Sequence, residues 1–500
     1  MKKFLPSILL FFAGTLFFGI YSLLGIDLHH DGIMFKTACD AANGVALFRE
    51  SFSQYGVLTP LLQGAALKLF GVELVVLKLL TALFYGASLV VYDNIWKRFF
   101  KPEEKWWRFF AVALFFLLSP DSCVTSHPWA SVYALFFLLL AMEFTLRFFE
   151  NSKRELCFAL LAGVCGGLMF GFRQPCGLTA VISAAALCVI IFALDRRRAV
   201  RYGAGFLAGF SAVAALLAVI ITVYGAWRDY IIQTWSHALS FAVKRGAGSG
   251  YSDTMNNFFP FITGDRGFID SVFAFMPLVT LFLLAWLILN KKYKDELPLV
   301  SVILFALGAW HQYYPVPCMR HLFWAGVPMF GIFVYVLKAL WQKRSFSSRS
   351  AVAVLVVILF FAVGFRCFFG VKRLESIAKR QRVNIPGVRG LLLFNHEAQI
   401  TGWVYSLKNE LPPELLKRGV FNHTPDGVWS IILPSCAFKH PLYCRIGETI
   451  YPDYDSKAFR YCMEKRPAVI SSLWKQLPGY VTLQIMSYNG VDYALLVPVR

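Results

Sequence analysis

Nothing in this chain has the spacing of a cysteine-based zinc site, and no internal repeat or low-complexity tract stands out. Zinc-finger scaffolds and repeat arrays are therefore set aside. No RNA- or DNA-binding motif accompanies the net charge of +20, so the charge alone does not indicate nucleic acid. No small-x-small cleavage site follows the first apolar run, which therefore reads as an anchor and not as a removed signal peptide. Cysteine says little. Cys157, Cys165 and Cys188 fall in apolar runs and read as small buried residues. Cys436, Cys444 and Cys462 fall in a polar tail, where at most one pair among the three can form a disulfide.

What the chain does have is apolar surface. Of 500 residues, 58% are hydrophobic and 17% aromatic, and the mean hydropathy is +0.58. A soluble protein with that surface would aggregate. The composition indicates a polytopic membrane protein. Apolar runs at 5–25, 73–95, 109–119, 129–147, 156–173, 177–194, 202–224, 270–290, 298–314, 321–341 and 351–370 predict about eleven transmembrane helices, the third being short. Lys and Arg crowd into alternate connections: 2–3, 97–108, 147–154, 196–201, 291–294 and 343–349. By the positive-inside rule these face the cytoplasm, so the N-terminus is inside and the tail after about residue 371 outside.

Three outer segments are long. Residues 26–72 read as one or two helices at the membrane surface, with Pro60 suited to a first helical turn. Residues 225–269 carry a glycine-rich tip at 246–250. In the tail, 371–500, strand-like runs (391–394, 428–433, 468–470, 493–499) alternate with helix-like runs (398–411, 456–463), which predicts a small extracytoplasmic α/β domain. The domains are thus 1–370 and 371–500.

The first span ends in Asp27, His29, His30, Asp31 and Gly32. Ionisable groups at membrane depth are costly unless they face a polar cavity. A carboxylate there suits a general base, and a flanking histidine can orient it. The alternatives are a helix-capping turn at Asp31 and Gly32 and a His/Asp metal site. The metal site ranks last, because sequence neighbours rarely converge on one ion without further ligands. Arg320 with His321, Arg173 beside Pro175, and Lys36 are outer-face cations that suit a phosphate headgroup or simple interfacial anchoring. No metal ligand set is assigned.

On these features the chain resembles the GT-C superfamily of membrane glycosyltransferases, especially bacterial members of the protein-mannosyltransferase-like group. The resemblance rests on the acidic motif Asp27 to Asp31 and on a loop carrying Gly44, Gln54, Tyr55 and Gly56. It rests further on Leu69 to Gly71 before the second span, on Ser119, Pro120 and Asp121 after the third, and on Arg320, His321 and Pro328 opening a late span. His321 stands where the commoner pattern has Tyr. The resemblance implies an α-helical GT-C-like fold. It also implies transfer of a sugar from a polyprenyl-phosphate donor to a glycan, lipid or protein acceptor on the outer face of the membrane, the bacterial inner membrane being the expected location. It makes Asp31 the base with Asp27 its substitute, and Arg320, Arg173, Lys36 and His321 the donor-phosphate residues. His29, His30, Gln54, Tyr55 and Asp121 become substrate-pocket candidates. No cofactor is required by this reading, and a divalent cation stays open. A transporter or flippase of lipid-linked sugars would need paired intramembrane charges or an inverted repeat, neither of which is evident, Lys78 being the main charge deep in a span. An O-antigen-type polymerase or ligase would place its key residues in a large late loop.

The topology is directly testable. Reporter fusions at about residue 345 and at the C-terminus are expected on opposite sides of the membrane. A common side would put the span count wrong by one.

Overall fold

The computed structural model describes residues 4–119, 127–237, 239, 268–314, 319–343, 345–424, 426–438, 454–488 and 490–499. Each predicted span is a helix: α1 (Leu5–Ser22), α4 (Leu74–Trp96), α5 (Lys105–Leu117), α6 (Ala130–Glu150), α7 (Glu155–Phe172), α8 (Gln174–Phe192), α9 (Arg196–Val223), α11 (Phe268–Leu289), α12 (Leu297–Ala309), α13 (Met319–Gln342) and α14 (Phe346–Glu375). Among the described residues, 8 helices are long and apolar enough to cross a membrane. Residues 26–72, expected outside the membrane, form two helices, α2 (His30–Ala42) and α3 (Leu58–Phe70). A short helix α10 (Trp227–Ile231) runs into one π-helical turn, Ile232–Ser236.

Small residues let the helix backbones approach. A Cβ on Gly163 would lie 1.9 Å from the Phe206 carbonyl oxygen, and one on Gly209 would lie 2.1 Å from that of Leu160. α7 and α9 therefore pack backbone to backbone, the way helices associate where no water drives them together. At the ends carrying the basic clusters, the acids are paired. Arg98 reaches Glu143 and Glu150 at 2.6 Å, Arg108 meets Asp93 at 2.7 Å, and Lys338 meets Glu104 at 3.0 Å. Those acids are used to tie neighbouring helices.

After α14 the chain builds a two-stranded ribbon, β1 (Arg380–Arg382) with β2 (Leu392–Phe394), and a four-stranded sheet in the order β3-β4-β6-β5. β3 (Val420–His423) is parallel to β4 (Ala468–Ser471), while β6 (Val491–Pro498) pairs antiparallel with β4 and with β5 (Tyr480–Tyr488). Alternation along the strands feeds two cores. Phe421, Val469, Ala494 and Leu496 pack with Ala458 and Cys462 of α18 (Tyr454–Lys465). Val420, Ile470, Tyr493 and Leu495 face the other way, with Val404 and Leu407 of α15 (Asn395–Glu410).

The run 428–433, expected as a strand, is instead a single helical turn, α17 (Trp429–Ile432), preceded by α16 (Pro413–Arg418). A short apolar run buried on all sides does not tell strand from helix by periodicity. Strands β3 and β5 were not among the expected elements. Cys436 and Cys462 are free thiols in one core, and Cys444 lies outside the described residues. The second core continues into the membrane part. It includes Ile26 and Phe35 from the acidic-motif segment, Leu67 of α3, and Leu74 and Leu77 of α4.

Candidate functional site

α1 stops at Ser22, and Gly25 takes the left-handed conformation (φ +90°) that a side chain resists. The turn delivers Asp27 to the start of α2. Its Oδ1 accepts the N–H groups of His29 (3.1 Å) and His30 (2.7 Å), and the His30 Nδ1 lies 3.0 Å from the same oxygen. These N–H groups belong to the orphan donors of a helix start. Burial pushes the Asp27 carboxyl up, but the hydrogen bonds from His30 together with charge interactions with His127 and His30 more than reverse this and hold it well below the usual range. Asp27 keeps 26% of its side chain exposed.

Asp31 is one turn further and fully buried. Its Oδ2 meets the Lys78 Nζ at 2.9 Å and accepts the Asp27 N–H at 2.9 Å. Its Oδ1 lies 3.1 Å from the His127 Nδ1. Lys78, on α4 and equally buried, also donates to the Gly25 carbonyl at 3.2 Å. Burial raises the Asp31 pKa, and Lys78 and His127 more than reverse it.

His127 closes the cluster from the segment before α6. Its Nε2 has no hydrogen-bond partner among the described residues and lies 3.4 Å from the Asp27 Oδ2. Burial, reinforced by the charge of Arg320, pushes its imidazole down to about 4 against the pull of Asp31. Asp27, His30 and His127 each offer one ligand atom, all within 4.8 Å of one another. Trp129 covers the group, 5.2 Å from the His30 ring and 5.6 Å from that of Tyr55.

Of the sequence candidates, Asp27, Asp31 and His30 form one cluster, with Tyr55 at its aromatic wall and Arg320 within electrostatic reach of His127. His29 touches it edge-on through His30, at 4.5 Å. Arg173 sits between α7 and α8 and donates to the Ser131 hydroxyl, two residues from Trp129. His321 packs beside Trp324 at 5.5 Å. Gln54 is half-buried next to Tyr55. Lys36 points elsewhere. It is five residues from Asp31, about 140° around the helix, and pairs with Asp40 at 2.6 Å. There it lines a cavity of about 580 Å³ between α2 and the sheet-bearing C-terminal domain. Asp121 lies outside the described residues. Sequence reasoning did not select His127, since one histidine before a span carries no pattern. It noted Lys78 as a charge within a span, which was a usable signal, but gave it no role.

No protein-family model matches the chain, and no curated protein sequence does. Solved structures do. ArnT from Cupriavidus metallidurans in the apo state superposes with a TM-score of 0.60 at 12% identity, covering 99% of this chain and 98% of that one. The same protein bound to undecaprenyl phosphate gives 0.57 at 13%, covering 98% and 97%. The oligosaccharyltransferase AglB from Archaeoglobus fulgidus, in complex with an inhibitory peptide and a dolichol-phosphate, gives 0.54 at 10%, covering 99% of this chain and 74% of that one. A complex of the Archaeoglobus enzyme with Zn and sulfate also matches, at 0.55 and 12%, covering 97% and 73%. The chain has the fold of the GT-C membrane glycosyltransferases.

The buried histidine leads to a pH signature. An unfolded histidine titrates near 6.5, whereas His127 is held down at about 4. Between those values the unfolded state binds more protons. The contribution is therefore complete above about pH 6.5 and lost as pH falls towards 4, on the order of 3 kcal/mol. Thermal midpoints of detergent-solubilised protein from pH 7.5 to 4 are expected to fall, and His127→Gln is expected to flatten that slope. An equal slope in both proteins would refute the assignment.

Proposed function

We propose that the protein transfers a sugar from a polyprenyl-phosphate-linked donor to an acceptor hydroxyl at the outer face of the membrane. One observation carries the reading. In a GT-C fold, a hydrogen-bonded, partly exposed carboxylate stands just past the C-terminal end of α1, over a buried ion pair and within reach of the Arg320 charge through His127. Asp27 suits the base role better than Asp31. Both oxygens of Asp31 are engaged by Lys78, His127 and the Asp27 N–H, whereas Asp27 is open to an incoming group. In the reaction the acceptor hydroxyl gives its proton to Asp27 as its oxygen bonds to the anomeric carbon. The bond from that carbon to the phosphate oxygen breaks on the opposite side, and the configuration inverts. Polyprenyl phosphate leaves with the bonding electrons, its charge met by Arg320, with Arg173 and His321 as further candidates.

The cluster also fits a divalent cation. His127 Nε2 is buried, lacks a hydrogen bond and faces the Asp27 carboxylate. Two imidazoles and one carboxylate suit zinc and its neighbours better than magnesium or calcium. Asp27, His30 and His127 would hold the ion, which would supply Lewis-acid polarisation of an oxygen ligand.

Asp27→Asn is expected to lose ~10²–10⁴ of transfer rate while still retaining undecaprenyl phosphate in native mass spectrometry. Arg320→Ala is expected to lose that retention, with Arg320→Lys recovering it in part, because Lys lacks the planar fork. Normal transfer by Asp27→Asn, with none by a well-folded Asp31→Asn, would return the base role to Asp31. Undiminished lipid binding by Arg320→Ala would leave that residue an interfacial anchor.

A further inference from the structure

The acidic motif is gripped from two sides. On one side stand Lys78 and His127. On the other stands the C-terminal domain, which contacts the segment residue after residue. The Gly25 N–H donates to the Leu392 carbonyl (2.8 Å) and the Leu392 N–H to the Leu23 carbonyl (2.9 Å). Residue 24 thereby pairs in parallel with β2 as an extra edge of the small ribbon. The Ile26 N–H reaches the Glu397 Oε1 at 3.4 Å. Glu397 is itself fixed: its Oε2 accepts the Phe394 N–H at 2.8 Å and lies 3.8 Å from the Arg380 guanidinium, which stacks 3.6 Å over the Phe394 ring. The Val428 N–H donates to the Leu28 carbonyl at 2.8 Å.

The last contact has no slack. A Cβ on Gly32 would lie 1.8 Å from the Gly427 carbonyl oxygen, and one on Gly427 would lie 2.7 Å from that of His29. Ile26 and Phe35 complete the grip by packing in one core with Leu391, Leu393, Val428 and Trp429. A docked accessory domain would touch the bundle through side chains at its rim. This one hydrogen-bonds the backbone immediately before and after Asp27.

We infer that the C-terminal domain is a working part of the carboxylate site: Glu397 and Val428 are positioning residues that set where the Asp27 carboxylate stands relative to His127 and Lys78. The inference takes the reactive role of Asp27 from the proposed function, but the contacts themselves do not depend on it. Its physical basis is preorganisation. A base must be held within hydrogen-bond reach of the proton it takes, and misplacement by about 1 Å can cost on the order of 10²-fold in rate. From the bundle the segment between α1 and α2 is held at the Leu24 and Gly25 carbonyls by Arg373 and Lys78 and at the Asp27 N–H by Asp31, and the C-terminal domain adds the constraints at Ile26 and Leu28.

Val428 offers a clean test. Its φ of −55° is one that proline adopts, so Val428→Pro keeps the local backbone shape, removes the N–H to Leu28 and pushes the Leu28 carbonyl off with its ring carbon, whereas Val428→Ile keeps the bond. Glu397→Ala removes the second tie. The full chain in lipid nanodiscs is followed by hydrogen exchange of the peptide 23–33, by thermal midpoint, and by turnover of undecaprenyl-phosphate-linked hexose and pentose. Val428→Pro and Glu397→Ala are each expected to speed exchange in that peptide about tenfold, with the midpoint little moved. Each should lower kcat with KM for the donor unchanged. Val428→Ile is expected to behave as wild type. Unaltered exchange in both disrupting variants overturns the inference whatever the turnover. Faster exchange with full turnover overturns it too, because a motif that works unheld needs no clamp. A wild-type protein with no turnover on any such donor sinks the proposed function, and the exchange result then decides the clamp.

Discussion

The site depends on one ion pair, Asp31 with Lys78. Both side chains are fully buried, 2.9 Å apart. Two isolated charges in such surroundings would cost several kcal/mol each, and the pair survives because both partners have further hydrogen bonds. The Asp27 N–H and His127 complete Asp31, while the Gly25 carbonyl completes Lys78. Through these bonds the pair ties α4, the turn after α1, the start of α2 and the segment before α6 into one unit. Removing either partner would leave an uncompensated charge, so the pair is a hub more than a source of net stability.

The charges divide by side. Where the basic clusters crowd, Glu143, Glu155, Asp93 and Glu104 sit in arginine and lysine pairs that bind helix to helix. At the opposite end the partners of Asp27 among the described residues are histidines and backbone N–H groups. Histidine neutralises less than arginine at neutral pH, and His127 is held neutral by burial. The carboxylate is thus held low by hydrogen bonds and its two histidine neighbours rather than paired with a fixed arginine or lysine. That state leaves it able to take a proton or to bind a cation.

The C-terminal sheet region adds mechanical definition. Its contacts fall on the backbone of residues 23–28 and on the close approach of Gly32 to Gly427. The same core that closes one face of its sheet continues through Ile26 and Phe35 to Leu74 and Leu77. Sheet, surface helices and the second span therefore pack as neighbours across the motif, and the boundary near residue 371 divides the chain more than it divides the core.

The apolar runs were legible in the sequence because a bilayer demands about 20 apolar residues per crossing, a constraint local to each segment. All the predicted spans are helices, and the tail's helix-like runs are helices too. Asp27, His30 and Asp31 were legible as a motif, since charge just beyond an apolar run is costly and so stands out. Pairings across the chain were not legible. His127 is 96 residues from Asp31, and nothing near it marks it as a partner. Lys78 was visible as a buried charge, but its acid was not. Lys36 looked like a headgroup cation until the helix turned it towards Asp40. The turn at 428–433 read as a strand because burial on every side erases periodicity. Local hydropathy and motif position thus determined the apolar helices and the acidic cluster. Tertiary structure alone decided which carboxylate is buried, which is open, and which distant residues hold them, because charge pairing and close packing depend on distance in space rather than along the chain.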